Sequence, residues 1–269
     1  MTQVHWLLQD GTRDRFETEM MAEFLRGIGC IVRLVRLKGF SSEIPEIPDL
    51  PKGVPVVCHG ASWVPRALER AWSPGIWFDR DTFRWSAFHE GWGDLMLSRD
   101  AKVGTLGEAM AELARTGTNL FIRPDEDLKA FEGGVHDSAS LVAALAEPWV
   151  KATAATPVVT ASPVALFGEW RCFIVDGAVV GASEYRREGR PSTEGFVPNA
   201  VIDLAYQAAG IWVPAPVFCL DIARHDDGYG IVEANCFNAA RFYAADAGHI
   251  VTAVTGYADR NSSPNWHHT

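Results

Sequence analysis

VFCLDIARHDDGYGIVEANCFN, residues 217–238, reads as two apolar-rich strands around Asp226-Asp227-Gly228. A three-residue hairpin loop takes glycine at its third, left-handed position. With Gly228 there, Asp221 stands directly opposite Glu233. Side chains alternate faces along a strand, so Asn235 joins them two residues on. Facing carboxylates repel one another unless a cation lies between them. Two carboxylates and an amide oxygen form a hard-ligand set suited to magnesium, which also binds substrate phosphates. The competing reading is a solvent-exposed polar face. Against it, the expected neighbours on the same face, Val217, Cys219 and Ile231, are all apolar.

The chain has 269 residues, enough for one large domain or two smaller ones with a real core. With 48% hydrophobic and 22% charged residues it has an ordinary globular composition. A net charge of −10 argues against a broad grip on nucleic acid. The five cysteines are scattered and none forms a C-x-x-C pair. That speaks against a disulfide framework or a zinc site and for a reducing compartment, so the cytoplasm is expected. The start MTQVHWLLQDGTRD lacks a signal-peptide pattern, and no apolar run reaches membrane-spanning length.

Val4–Leu8, Arg13–Gly27 and Cys30–Leu37 read as strand, helix and strand, opening a small α/β unit, with a third strand at Val54–His59 and a helix at Ser62–Ala71. Ser73-Pro74-Gly75 marks the expected boundary, giving an N-terminal domain over 1–75, a second domain over 76–260 and a tail over 261–269. Thr105 and Glu108 form a capping box that opens a helix through Ala114. Asn119–Arg123 is a short strand and Ser138–Ala146 a helix. After Thr156 strands dominate: Pro157–Ala161, then Glu169–Val175 and Ala178–Tyr185 around Asp176-Gly177, a type I′ turn signal. A helix near Asn199–Ala209 precedes the opening hairpin.

Two further constellations carry charge. Arg123 and Lys129 leave a strand six residues apart, ahead of Gly133-Gly134, whose backbone suits close approach to an anion. The alternative is an ordinary turn with Arg123 paired to Asp125 or Asp127. Around Asp176-Gly177, a regular register sets Glu169 opposite Glu184, with Arg171 on the same face. Glu169 would accept hydrogen bonds from a nucleotide and Arg171 would offset phosphate charge, or the two would simply make cross-strand ion pairs. Arg241, six residues past Asn235, is a further candidate anion contact, with Arg186, Arg187 and Arg190 mostly solvated. No H-E-x-x-H, G-x-S-x-G or G-x-x-x-x-G-K-[ST] pattern occurs, so zinc hydrolysis, a serine elbow and a P-loop are not indicated.

Taken in order, FIRPDEDLKAFEGGV (121–135), Gly168-Glu169-Trp170-Arg171, Asp221 and VEAN (232–235) resemble the ATP-grasp superfamily, and in particular its arginine–lysine clade. The resemblance covers roughly 120–243. It implies an ATP-grasp fold, two α+β lobes around an ATP cleft preceded by a small α/β domain. It implies that Arg123 and Lys129 contact ATP phosphates and that Asp221, Glu233 and Asn235 hold Mg2+. Adenine contacts would come from backbone around Thr160 and Ser162, where the family hinge often supplies a Glu and this chain has Val159-Thr160-Ala161-Ser162. Glu169 would assist the nucleotide, while Arg171, Lys129 and Arg241 would act at the transferred phosphate and the substrate. The family's typical reaction is ATP-dependent joining of a small-molecule or peptide carboxylate to an amine or thiol through an acyl-phosphate, with release of ADP. Phosphate transfer to a hydroxyl, and nucleotide binding without catalysis, are the alternatives; a homodimer stays open.

Overall fold

The computed structural model describes residues 3–10, 15–37, 54–65, 75–126 and 130–261. Lys129, Asp127, the Pro-rich connector up to residue 53 and most of the expected 62–71 helix lie outside them. Strands β1 (His5–Asp10), β2 (Ile31–Arg36) and β3 (Val56–His59) form a parallel sheet in the order β2-β1-β3. A parallel pair needs a crossover, and helix α1 (Arg15–Gly27) supplies it between β1 and β2. Both faces of β1 are covered: Trp6, Leu7 and Leu8 are fully buried.

Helix α2 (Trp85–Trp92) has no counterpart in the sequence reading. Its apolar stripe is Trp85, Phe88 and Trp92, and its first turn is capped from a distance. Asp125 accepts from the Ser86 N–H at 2.7 Å and from the Ser86 hydroxyl at 2.9 Å. Asp125 is therefore a helix cap and not the partner of Arg123.

Strand β4 (Lys102–Thr105) feeds α3 (Leu106–Thr116) through the expected capping box, and the helix closes on Gly117 at φ 65°. Strands β5 (Leu120–Pro124), β6 (Gly134–His136) and β7 (Pro157–Ala161), with α4 (Ser138–Leu145) between the last two, complete an antiparallel sheet of order β4-β7-β5-β6. A small core of Leu106, Leu113, Ile122, Phe131, Leu141 and Val158 sits beneath it.

The largest sheet runs β10-β9-β8-β11-β12, all antiparallel: β8 (Gly168–Val175), β9 (Ala178–Arg187), β10 (Arg190–Pro191), β11 (Val217–His225) and β12 (Gly228–Cys236). Helices α5 (Asn199–Ile211) and α6 (Ala247–Arg260) cover opposite faces. On the α5 face, Trp170, Cys172, Phe218, Leu220 and Ile222 pack with the aromatic stripe of α2. On the α6 face, Phe173, Val175, Val217 and Cys219 pack with Trp6, Leu8 and Leu25 of the first unit. Asn238, fully buried, ties these parts together. It accepts from Trp77 N–H at 2.8 Å and donates to the carbonyls of Cys58 and Gly75, each at 2.6 Å.

Both hairpins depart from the simple registers expected of them. The turn of β11–β12 holds only Asp226 and Asp227, with His225 paired to Gly228, so Ile222 faces Ile231. A bulge at Val232 then restores the offset and sets Asp221 opposite Glu233. The expected pair forms, but by turn plus bulge rather than by a three-residue loop. Ile231 consequently joins Ile222 in the core on the other face instead of lying beside the carboxylates.

In β8–β9 the Asp176-Gly177 turn has both residues at positive φ (53° and 78°), as a type I′ turn requires. Bulges at Val180 and Tyr185 shift the register, so Glu169 faces Arg186 and Glu184 faces Trp170. Glu184 does not stand opposite Glu169. It is held instead by Arg187 at 2.9 Å and by the Ser192 hydroxyl at 2.6 Å. All five cysteines are free and buried, and among the described residues no helix is long and apolar enough to cross a membrane.

Candidate active site

Cross-strand pairing of Asp221 with Glu233 on one side and Arg171 on the other concentrates charge in the middle of the large sheet. Arg171 grips Asp221 with two hydrogen bonds, Nε to Oδ1 at 2.8 Å and Nη2 to Oδ2 at 2.7 Å. Asp221 is only 1% exposed. Burial is the main influence on its carboxyl and pushes it above the usual range against the pull of Arg171; Glu233 and Glu169 push it further. Burial also works against the Arg171 cation, but the Asp221 charge and its hydrogen bonds outweigh that, so the guanidinium is held more firmly protonated than usual.

Glu233 meets the other sheet. Arg123, at the end of β5 and 7% exposed, places Nη1 2.7 Å from Glu233 Oε2. The Asn235 amide nitrogen stands 3.0 Å from Asp221 Oδ2 and 3.1 Å from Glu233 Oε1. Two carboxylate oxygens from neighbouring strands thus converge on one point, filled here by a hydrogen-bond donor. Among the described residues no three His, Cys, Asp or Glu side chains group into a metal site on their own. The third oxygen has to come from Asn235, and a half-turn of its amide exchanges nitrogen for oxygen. That donor set, two carboxylates and an amide, fits a hard divalent cation.

Glu169 accepts from the Tyr185 hydroxyl at 2.8 Å and from Arg186 at 3.1 Å. Burial, with Asp221 and Glu169 close by, raises the Tyr185 phenol and keeps it a donor. Its position in a bulge re-aims its ring over Arg171, 5.7 Å from the guanidinium carbon. Tyr243 lies 5.6 Å from the same atom and stacks on Tyr185 with centroids 5.4 Å apart. Neither tyrosine carries a sequence signal, because both act through ring placement set by a bulge and by a left-handed backbone (Tyr243 φ 54°).

Of the expected site residues, Arg123, Arg171, Asp221, Glu233 and Asn235 form one network, with Glu169 beside it. Thr160 sits in β7 between Ile122 and Lys102. The Ser162 N–H donates to Asp100 Oδ2 at 3.0 Å, and hydrogen bonding from Ser162 chiefly holds the Asp100 carboxyl below its usual value. Arg241 lines a cleft bounded by Tyr185 and Tyr243.

A profile of the ATP-grasp domain, family 3 of the arginine–lysine clade, matches residues 58–254, well over half of the chain. The chain belongs to the ATP-grasp family. No curated protein matches its sequence. Among solved structures this ATP-grasp chain is similar to the ligase PsnB complexed with a minimal precursor (15% identity, TM-score 0.60, covering 96% of this chain and 100% of that one). It is also similar to D-alanine–D-alanine ligase from Bacillus anthracis (11%, 0.60, 97% and 98%) and to the D-cycloserine synthetase DcsG (14%, 0.61, 95% and 99%). At such identities the likeness shows the ATP-grasp fold.

Proposed function

We propose that this ATP-grasp chain is an ATP- and magnesium-dependent ligase that joins a carboxylate to an amine or thiol and releases ADP and phosphate in the cytoplasm. The observation that carries the reading is the convergence of Asp221 Oδ2 and Glu233 Oε1 on one point, with an arginine bound to each carboxylate. The relatives lend support by their names, which describe a ligase with a peptide precursor, a D-alanine ligase and a D-cycloserine synthetase.

In this reading Asp221, Glu233 and Asn235 hold magnesium, which when bound offsets phosphate charge. Arg123 and Lys129 bind the ATP phosphates, backbone near Thr160 and Ser162 receives adenine, and Glu169 accepts from the nucleotide. The substrate carboxylate oxygen attacks the γ-phosphorus, the bond to the ADP oxygen breaks, and ADP departs. The amine nitrogen, or thiol sulfur, then attacks the acyl carbon; the new bond forms, phosphate leaves with the C–O electron pair, and the nucleophile loses a proton. A carboxylate is a poor electrophile and an acyl-phosphate a good one, so the protein has to orient and neutralise rather than supply a nucleophile. Arg171 is suited to neutralising. Asp221 fixes its fork and two tyrosine rings fix its plane, so it meets developing charge without reorganisation.

The test is ADP release measured with candidate substrates singly and in pairs. The reading requires release that depends on a carboxylate and an amine or thiol together. Release driven by a hydroxyl compound alone, with a phosphorylated product, overturns it in favour of a phosphotransferase.

A further inference from the structure

A cleft of about 610 Å3 opens between α1, α6 and the end of β9, on the far side of the tyrosine pair from Asp221. Its size falls within the roughly 300–1,000 Å3 of small-molecule sites. We infer that it binds an α-amino acid with a large apolar side chain, free or as one residue of a dipeptide. That this occupant is a substrate rests on the ligase reading above.

Three observations lead there. The walls are mostly apolar, and Met20 and Phe24 of α1 stay 55% and 41% exposed, more than their packing role explains. Methionine side chains adapt to varied apolar shapes, and Met21 adds a second one. Phe24 lies so close to α6 that a Cβ on Gly248 would come within 2.8 Å of its ring, so glycine there keeps the aromatic wall in place. The cleft's charged residues are one of each sign, Glu17 and Arg241. Glu17 is held by accepting from the Phe242 N–H at 3.0 Å. One carboxylate, one guanidinium and an apolar floor complement a zwitterion with an apolar side chain.

The cleft also shares a wall with the charged site. Tyr185 and Tyr243 line it and lie over Arg171. Tyr243 reaches that place with a left-handed backbone, a conformation that costs an ordinary residue roughly 1–2 kcal/mol. The segment is pinned by Ala244 N–H donating to the buried Ser183 hydroxyl at 3.0 Å. An occupant seated on this wall has one end within reach of Arg171.

Calorimetry with magnesium and a non-hydrolysable ATP analogue tests the inference. The probes are methionine, leucine and phenylalanine in both enantiomers, their dipeptides, and aspartate and lysine as controls. The apolar probes should bind at least about ten-fold tighter than the controls, with the dipeptide arm deciding between free and peptide forms. Arg241→Met, at an exposed position, should weaken binding about ten-fold. Met20→Trp should shift preference from phenylalanine to alanine, which a purely structural Met20 would not do. No apolar preference, or affinities untouched by both variants, overturns the inference. Apolar binding without ADP release from any substrate pair leaves the cleft assigned and removes the ligase reading; ADP release from a polar pair, insensitive to both variants, does the reverse.

Discussion

Arg123 and Glu233 meet at 2.7 Å across the gap between the four-stranded and five-stranded sheets, joining one proposed phosphate contact to one proposed metal ligand. One guanidinium cannot hold Glu233 and a nucleotide phosphate equally well. Arg123→Met should therefore weaken ATP binding about ten-fold or more, the loss of a charged hydrogen bond of roughly 1.5–3 kcal/mol. Glu233 loses its cation in the same variant, so magnesium alone should raise the melting temperature of Arg123→Met more than that of wild type. Equal magnesium shifts would argue against a shared site.

Asp221 is the structural counterweight of a buried cation. Facing carboxylates, taken alone, imply that removing one relieves repulsion, but the bidentate grip of Arg171 reverses that sign. Asp221→Ala should lose about 3–5 kcal/mol in urea unfolding, the cost of stranding a buried charge. Arg171→Met combined with Asp221→Leu should recover much of that stability while remaining inactive.

His59 lies between Phe237 and Phe242, with ring centroids 5.6 and 5.4 Å away, and its Nε2 has neither solvent nor partner. The residue keeps a sliver of surface, yet burial dominates and lowers its pKa to about 4. The unfolded chain takes up this proton near 6.5 and the folded one only near 4, so its stabilising contribution is present above pH 6.5 and lost as pH falls from 6.5 to 4. The loss should reach up to about 3 kcal/mol. Denaturant unfolding of wild type and His59→Phe at pH 7 and pH 4.5 checks it, the variant showing the smaller fall.

Asn238 makes three backbone contacts that no other side chain of its size reproduces. Asn238→Ala strands a buried N–H and two carbonyls, each costing about 1–3 kcal/mol where water cannot enter. It should destabilise more than Asn261→Ala at an exposed helix end, measured by thermal unfolding.

The sequence made some of this legible and hid the rest for identifiable reasons. The capping box at Thr105 and the type I′ signal at Asp176-Gly177 are local, and both appear where expected. Helix α2 was hidden because its cap, Asp125, comes from a distant loop. The carboxylate pair was found although its turn was misread, since the bulge at Val232 offset the shorter loop. Bulges carry no comparable signal, so Glu184 was wrongly set opposite Glu169 and the role of Tyr185 went unseen. The partner of Arg123 was sought among nearby acids, whereas Glu233 reaches it only once two sheets are assembled.

The account stands on Asp221 and Glu233 acting together as a cation site for ATP. The most direct measurement is a magnesium titration of ATP binding by calorimetry, for wild type and for Glu233→Gln, with melting temperatures recorded alongside. The account predicts tight ATP binding by wild type only with magnesium, and a magnesium enhancement at least about ten-fold smaller in a Glu233→Gln protein that still folds. The same magnesium dependence in both proteins would contradict it.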